Sequence, residues 1–525
     1  MPRREAAMGT NPPPDLILLK GKVLTMGKKQ PLAEAFAVKG DRIVAVGANA
    51  DIKSLKGPRT KVIDLRGRTV VPGFVDAHAH LTRRGLDVLR LDLGEAKAQK
   101  ALLDAVRKRV RAQAQGSWIV GYGWDETRWA EGRVPTRDDL DAAAPHHPVL
   151  LRRVDGHLCV VNSMAMGALN VPLAGPGVHV DDTGKRSGIL TEQAADEAYN
   201  SLPFDLDQAL TGYLEACKEA TRAGITSLHQ TSDATDVRIL RAGQQRGVPA
   251  PRLYVKMLPP LLDHALAVGL PAGLGDGAVR YGAVKVFTDG SLGARTAALG
   301  RDYADQPGNQ GVMVQSPEAL AMLVERIHLA GYQAALHCIG DRAITACLDA
   351  VESAQRKHPR RDHRHRLEHF ESASDEHIQR AQRLGCVASA QPNFIGMWGQ
   401  PGQMYEARLG KDGARGLNRF RVMADLGLKL AFGSDHMPLG PLYGLHWACN
   451  APEKEQRLEP EEALRAYTID AAFAGFEETH KGSLEVGKLA DFVVLNGDPV
   501  AKPKEIQKLR VDMTFQGGEL AYKKS

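Results

Sequence analysis

The sequence predicts a (β/α)8 barrel carrying a small β-sandwich built from both ends of the chain, and three observations lead there. The central region alternates helix-period segments with short apolar strands, each step marked by a glycine. The two ends contain only short strands broken by tight turns. Residue types able to bind metal recur where the central strands end.

Taken in order, residues 1–15 ("MPRREAAMGTNPPPD") show no apolar periodicity and read as a flexible tail. "DLILLKGKVLTM", "AFAVKGDRIVAVG" and "KVIDLRGRTVVPG" follow as strands separated by K-G, G-D-R and R-G turns, with no helix between them. "GKLADFVVLNGD" and "LRVDMTFQGGELAY" near the other end have the same character. Neither piece is large enough for a stable core of its own. Residues 16–71 and 482–525 are therefore expected to pair as one composite sandwich, leaving 72–481 for the barrel. There, "PEALAMLVERIHLAG" leads into "YQAALHCIGD", "SDEHIQRAQRLG" into "CVASAQPNF" and "NRFRVMADLG" into "LKLAFGSDH". Gly331, Gly385 and Gly427 fall where helices take a left-handed terminating residue. Strands without a polar face imply a parallel sheet buried on both sides. Alternation over roughly 400 residues favours a closed barrel over a doubly wound sheet. Between His80 and Lys285 the candidates "WIVGYGW", "PVLLRRVDGH" and "ITSLHQT" are one strand too many, so part of 120–200 is expected to form an excursion over the active-site mouth.

Composition narrows the partners. The chain has 525 residues, 43% hydrophobic and 25% charged, which is ordinary for a globular protein. A net charge of +6 without a dense basic block interleaved with aromatics argues against nucleic acid. Six scattered cysteines include no C-x-x-C pair, which disfavours a disulfide framework and a structural zinc ribbon. No long apolar run predicts a membrane span or an apolar leader, so a cytoplasmic location is expected. A small-molecule substrate is expected, and a homo-oligomer remains open.

"VPGFVDAHAHL" sets His78 and His80 two residues apart, on one face of a strand. Alone, this pair reads equally as two surface histidines. Further strand ends carry Lys285 ("GAVKVFTDGS"), His337 ("AALHCIGD"), His369 ("HRLEHFE") and Asp435 ("LAFGSDH"). Each has a plainer explanation: a hydrogen-bonded histidine, a buried lysine salt bridge, an aspartate capping the next helix. Their recurrence at successive strand ends, where barrels of this kind place their active sites, points instead to a metal centre. Cys338, next to His337, should point away from it and pack.

"PGFVDAHAHL", "VKVFTDGSLGARTAAL", "LHCIGDRA", "RLEHFE", "GSDHMP" and "KGSLEVGKLADFVVL" resemble the amidohydrolase superfamily and, more narrowly, amidohydrolase family 3 in its YtcJ-like branch, which includes N-substituted formamide deformylase. The resemblance implies two divalent metal ions. His78, His80 and Asp435 would hold one, His337 and His369 the other, and Lys285 would bridge them as an N-carboxylated lysine. Zinc suits imidazole and carboxylate donors best, and manganese, iron or cobalt accept the same set. Burial among Val284, Val286 and Phe287 lowers the lysine pKa and frees a neutral amine for carbon dioxide. The implied reaction is hydrolysis of a non-peptide C–N bond in an amide, N-substituted formamide or cyclic amide by a metal-bridging hydroxide. Asp435 would act as general base and then acid.

The same resemblance places His157 and Asn162 ("RVDGHLCVVNS") near the site, His157 either touching substrate or anchoring a loop. Arg295 would clamp a substrate carboxylate or pair with an acidic loop residue. His229, also at a strand end, would touch substrate or support the ligands from behind, and Trp124 and Trp398 would supply an apolar wall against the substrate. "QPNFIGMWGQP" and "LEHFE" depart from the branch pattern and leave the substrate open. Competing readings are a deaminase, a lactone- or lactam-opening hydrolase, and a non-catalytic scaffold. Deaminating members often lack the strand-four lysine, and scaffolds lose ligands that this chain retains.

Overall fold

In the computed structural model, which describes residues 12–169, 171–172 and 174–524, eight parallel strands follow one another around a nearly closed barrel. They are β1 (Phe74–Ala79), β2 (Ile225–Ser232), β3 (Arg252–Met257), β4 (Val279–Phe287), β5 (Gln333–Cys338), β6 (Arg366–His369), β7 (Val387–Ala390) and β8 (Lys429–Phe432). Most of the expected N-terminal tail, residues 1–11, lies outside the described residues. Every strand from β1 to β8 pairs with the next in parallel register. That register sets Phe287 beside His337 and Cys338 beside His369, so the strand ends finish at one level.

The helices start and stop where local chemistry dictates. Ser316 accepts from the Ala319 N–H ahead of Pro317, and Ser374 closes a capping box, each satisfying N–H groups the helix leaves free. Gly331, Gly385 and Gly427 take φ values of 78°, 71° and 75°, the left-handed stops the sequence predicts. The outer faces of the strands meet the helices in one large apolar core that includes Val284, Leu336, Leu367 and Phe432. Cys338 packs there, away from the ligand side chains.

The barrel is closed by side chains and backbone rather than by a regular ladder. The Asp435 N–H donates to the His78 carbonyl (2.8 Å). The buried Asp76 carboxylate accepts from the Ser434 N–H (3.0 Å) and the Ser434 hydroxyl. Gly433 lets the strands come this close: a Cβ there would lie 2.3 Å from the His78 nitrogen and 2.9 Å from Asp76 Oδ1.

The excursion differs from the expectation. Both "WIVGYGW" (Ile119–Trp124) and "PVLLRRVDGH" (Val149–Arg153) leave the barrel and join a separate six-stranded sheet with Leu91–Asp92, Leu158–Val161, Arg186–Thr191 and Val178–Val180. The strand that completes the barrel is β3, whose "RLYVKM" carries arginine and lysine and so lacks an unbroken apolar run. The excursion also begins earlier, near Leu91.

Strands from both ends of the chain share one sheet, where Phe492 pairs with Pro72, and a second sheet of Leu16–Leu19, Ala35–Lys39, Arg42–Gly47 and Lys61–Asp64 faces it. Phe36, Val70, Phe492 and Phe515 fill the space between. Among the described residues no helix is long and apolar enough to cross a membrane.

The closing seam yields a test. Gly433→Ala is expected to destabilise the fold by about 1–3 kcal/mol through forced separation of β8 from β1. Urea unfolding measures it, and an unchanged midpoint would show that the seam has slack.

Candidate active site

At the C-terminal ends of the strands, His78, His80, Lys285, His337, His369 and Asp435 all line one chamber of about 160 Å³. β1 delivers His78 and His80 from one face, with ring centroids 5.5 Å apart. Asp435 Oδ1 lies 3.2 Å from His80 Nε2 and 3.7 Å from His78 Nε2. The ligand atoms of these three side chains fall within 4.8 Å of one another, a spacing that suits one metal ion. The His369 ring lies 4.8 Å from that of His78 and 4.5 Å from that of His337. His369, the last residue of β6, and Asp435, just after β8, have positive φ (71° and 51°), a backbone turn that β-strand geometry does not supply.

Each buried histidine has one ring nitrogen committed and the other turned to the chamber. His78 Nδ1 meets Glu368, His369 Nδ1 meets Gln391 Oε1 at 2.7 Å, and His337 Nε2 meets the Gly290 carbonyl at 3.0 Å. An acceptor on one nitrogen fixes the N–H there and leaves a lone pair on the other. His78 Nε2, His337 Nδ1 and Asp435 Oδ1 are buried without any hydrogen-bond partner. Unsatisfied buried polar atoms are costly, and three converging on one chamber fit a metal centre. Burial, with nearby lysines for His78 and with His369 and Lys285 for His337, holds both rings far below the usual histidine pKa. His369 falls to about 3 for the same reasons, so all three are neutral and able to donate lone pairs.

Lys285, 1% exposed, reaches the chamber from β4. Burial lowers its pKa against the opposing pull of Glu368 and Asp435. The charge that offsets it sits behind the ligands. Glu368 is fully buried, with Arg366 Nε 2.8 Å and Lys256 Nζ 3.5 Å from its carboxylate and His78 Nδ1 on its other oxygen. Burial alone would raise its pKa, but Arg366, Lys256 and His78 together hold it well below the carboxylate range. Lys256, also fully buried, drops to about 7.

His157 enters from the excursion and lines the same chamber, its ring 5.3 Å from that of His337. Its Nδ1 lies 2.8 Å from Glu192 Oε2. Burial lowers its pKa, yet Glu192 and Asp155 outweigh this and raise it to about 9, so the ring is a cationic donor at neutral pH. Trp398 lines a small adjoining pocket with Phe394, Leu292 and Ile339.

Four expected substrate contacts are not brought to the chamber. Asn162 caps the helix Ser163–Ala168 and holds the Val149 N–H and the His147 carbonyl, a fully internal role. Trp124 is buried in the excursion core beside Trp129. Arg295 forms a two-pronged pair with Asp305 (3.1 and 2.9 Å) instead of facing a substrate. His229, buried on β2, is hydrogen-bonded to Arg366 (2.7 Å) and does not line the chamber. The sequence reading missed Lys256, Glu368 and Glu192. Charged residues inside otherwise apolar strands, as in "RLYVKM" and "HRLEH", were the available signal for the first two.

The model for the amidohydrolase family matches residues 61–522. The chain belongs to the amidohydrolase family. It is 32% identical to putative amidohydrolase YtcJ of Bacillus subtilis, over 96% of this chain and 99% of that protein. It is 27% identical to N-substituted formamide deformylase of Arthrobacter pascens, over 97% and 99%. Among solved structures, an uncharacterized metal-dependent hydrolase from Pyrococcus furiosus superposes with a TM-score of 0.74 at 28% identity, covering 92% of this chain and 99% of that one. The fold is thus an amidohydrolase barrel, as the sequence predicts.

The buried carboxylate at the centre of this amidohydrolase site makes a second test. Glu368→Ala strands Arg366 and Lys256 and is expected to cost about 3–5 kcal/mol of stability. Glu368→Gln, which keeps an acceptor, should cost clearly less. Denaturant unfolding of both variants checks this, and equal losses would mean the charge is irrelevant.

Proposed function

We propose that the protein is a metal-dependent hydrolase of a non-peptide C–N bond, with an amide, N-substituted formamide or cyclic amide as substrate and two divalent ions, zinc by preference, as cofactors. The observation that carries this is the set of buried, unpartnered donor atoms, His78 Nε2, His337 Nδ1 and Asp435 Oδ1, facing one chamber. The family assignment and the deformylase relative support the bond type. His78, His80 and Asp435 would hold one ion and His337 and His369 the other, with Lys285, as its carbamate, between them. When bound, such ions lower the pKa of water and polarise a carbonyl.

The chain's own groups supply the rest. Asp435, beside His80 Nε2, takes the proton of the attacking water at its carboxylate and returns it to the leaving nitrogen. The cationic His157, oriented by Glu192, donates to the substrate oxygen as negative charge develops there. Buried walls exclude bulk water, so both interactions act in a low dielectric.

Elemental analysis of the purified protein is expected to give two metal ions per chain. Substituting His78 and His80 together by alanine should remove metal and at least about 1,000-fold of activity while circular dichroism is retained. Full metal content in that variant would refute the ligand set.

Lys285→Ala should lower metal affinity and turnover together, and a short-chain carboxylic acid, able to occupy the vacated space as a bridging carboxylate, should restore part of both. No response to the acid would leave Lys285 as an ordinary buried amine.

A further inference from the structure

The chamber adjoins a second, larger cavity of about 390 Å³, and the two share His80, Arg83, Asp196 and Phe287 in their walls. On the opposite side the small pocket of about 30 Å³ shares Asp155, His157, His337, His369 and Asp435 with the chamber. Through these shared walls the three spaces form a row, with the chamber between a cramped apolar pocket and a roomy mixed cavity. An amide lying along this row must place its larger half in the outer cavity.

The outer cavity is lined by Arg83, Arg90 and Arg109 and by Asp196, Asp205, Asp233 and Asp236, so what distinguishes its groups is how each is already engaged. Arg83, Arg90 and Arg152 surround the buried ring of Tyr199, each guanidinium 4.5–4.8 Å from its centre. The carboxylates that meet these three are Asp87, 3.5 Å from Arg90, and Asp196. Asp196 Oδ1 already binds Arg152 at 2.9 Å, and Arg83 reaches the same oxygen only at 3.5 Å. The other acids of the outer cavity are engaged by neighbouring backbone N–H groups and the Thr82 hydroxyl. Asp205 accepts from Asp207 N and Gln208 N, Asp233 from Asp236 N, and Asp236 from Asp233 N and the Thr82 hydroxyl. Arg83 is thus a guanidinium with its hydrogen bonds largely unspent, stacked and held in place, and 30% exposed at the junction of the two cavities. A planar fork in that state matches a carboxylate bidentately.

We propose that Arg83 binds a carboxylate on the larger half of the substrate, so that the preferred substrates are N-acyl compounds whose nitrogen-bearing or bulkier portion is an acid. This rests on the amide-hydrolase reading above and assigns to Arg83 the clamp that Arg295, locked to Asp305, does not provide.

The test uses the metal-loaded protein and two matched probes, N-formyl-phenylalanine and its carboxamide, with binding followed by calorimetry and amine release followed separately. The acid is expected to bind about 30-fold tighter than the carboxamide, the worth of a hydrogen bond to a charged group. Arg83→Gln should reduce that ratio to about threefold or less, and Arg83→Lys, which keeps the charge but loses the fork, should fall between. Circular dichroism of each variant verifies folding. Equal affinity for acid and carboxamide, no binding of either, or an undiminished preference in Arg83→Gln overturns the proposal. Tight, Arg83-dependent binding of the acid without release of amine from any N-acyl probe would instead count against the hydrolase reading and leave the anion site standing.

Discussion

Everything at the centre of this barrel depends on one buried carboxylate. Glu368 lies where Lys256 from β3, Arg366 from β6 and His78 from β1 converge, and each of those side chains is buried as completely as it is. Several charges withdrawn from water cost several kcal/mol each unless they meet. A barrel filled only with aliphatic side chains would avoid that cost, so the polar layer is explained by what it holds rather than by stability. By accepting from His78 Nδ1 it settles the tautomer of the ring, and through Arg366 it extends to His229, Ser389 and the Ala77 carbonyl. The layer of histidines that lines the chamber stands on this charged one.

The mouth is fixed by a comparable arrangement. Arg153, wholly buried, joins Asp125, Glu126 and Asp155, and Arg408 ties Glu126 to Asp305 and the Gly293 carbonyl. Trp398 donates to Asp125. These contacts fasten the excursion to the loop after β4 and to the helices after β7. His157 and Glu192 are therefore presented to the chamber by a rigid cap, and such groups need little reorganisation when a substrate arrives.

How much of this was legible follows from what kind of signal each part leaves. The barrel could be read because helices ending in Gly331, Gly385 and Gly427 alternate with apolar strands, a local and repeated pattern. The histidines, Lys285 and Asp435 could be read because they recur at strand ends. β3 could not, since Arg252 and Lys256 interrupt its apolar run for reasons visible only when Asp491 and Glu368 lie opposite. The roles of Asn162, Trp124 and Arg295 failed similarly. A capping amide, a core indole and a paired guanidinium look the same in sequence as substrate-binding ones, and only their partners distinguish them. Nearness in sequence to His157 was a poor guide, because the excursion turns Asn162 back into its own core.

The seam between β1 and β8 also carries a consequence in time. Asp76 and Ser434 are 358 residues apart along the chain, yet the ring closes only when they meet. At ribosomal rates of about 5–20 residues per second, the strand that carries His78 and His80 waits about 20–70 s for Asp435. No earlier contact can substitute, because Asp435 reaches His80 through the same turn that closes the ring. Synthesis, ring closure and completion of the chamber are thereby placed in a fixed order. A nascent chain presents His78 and His80 long before the carboxylate that faces them, and the chamber they share with Lys285, His337, His369 and Asp435 exists only in the finished molecule.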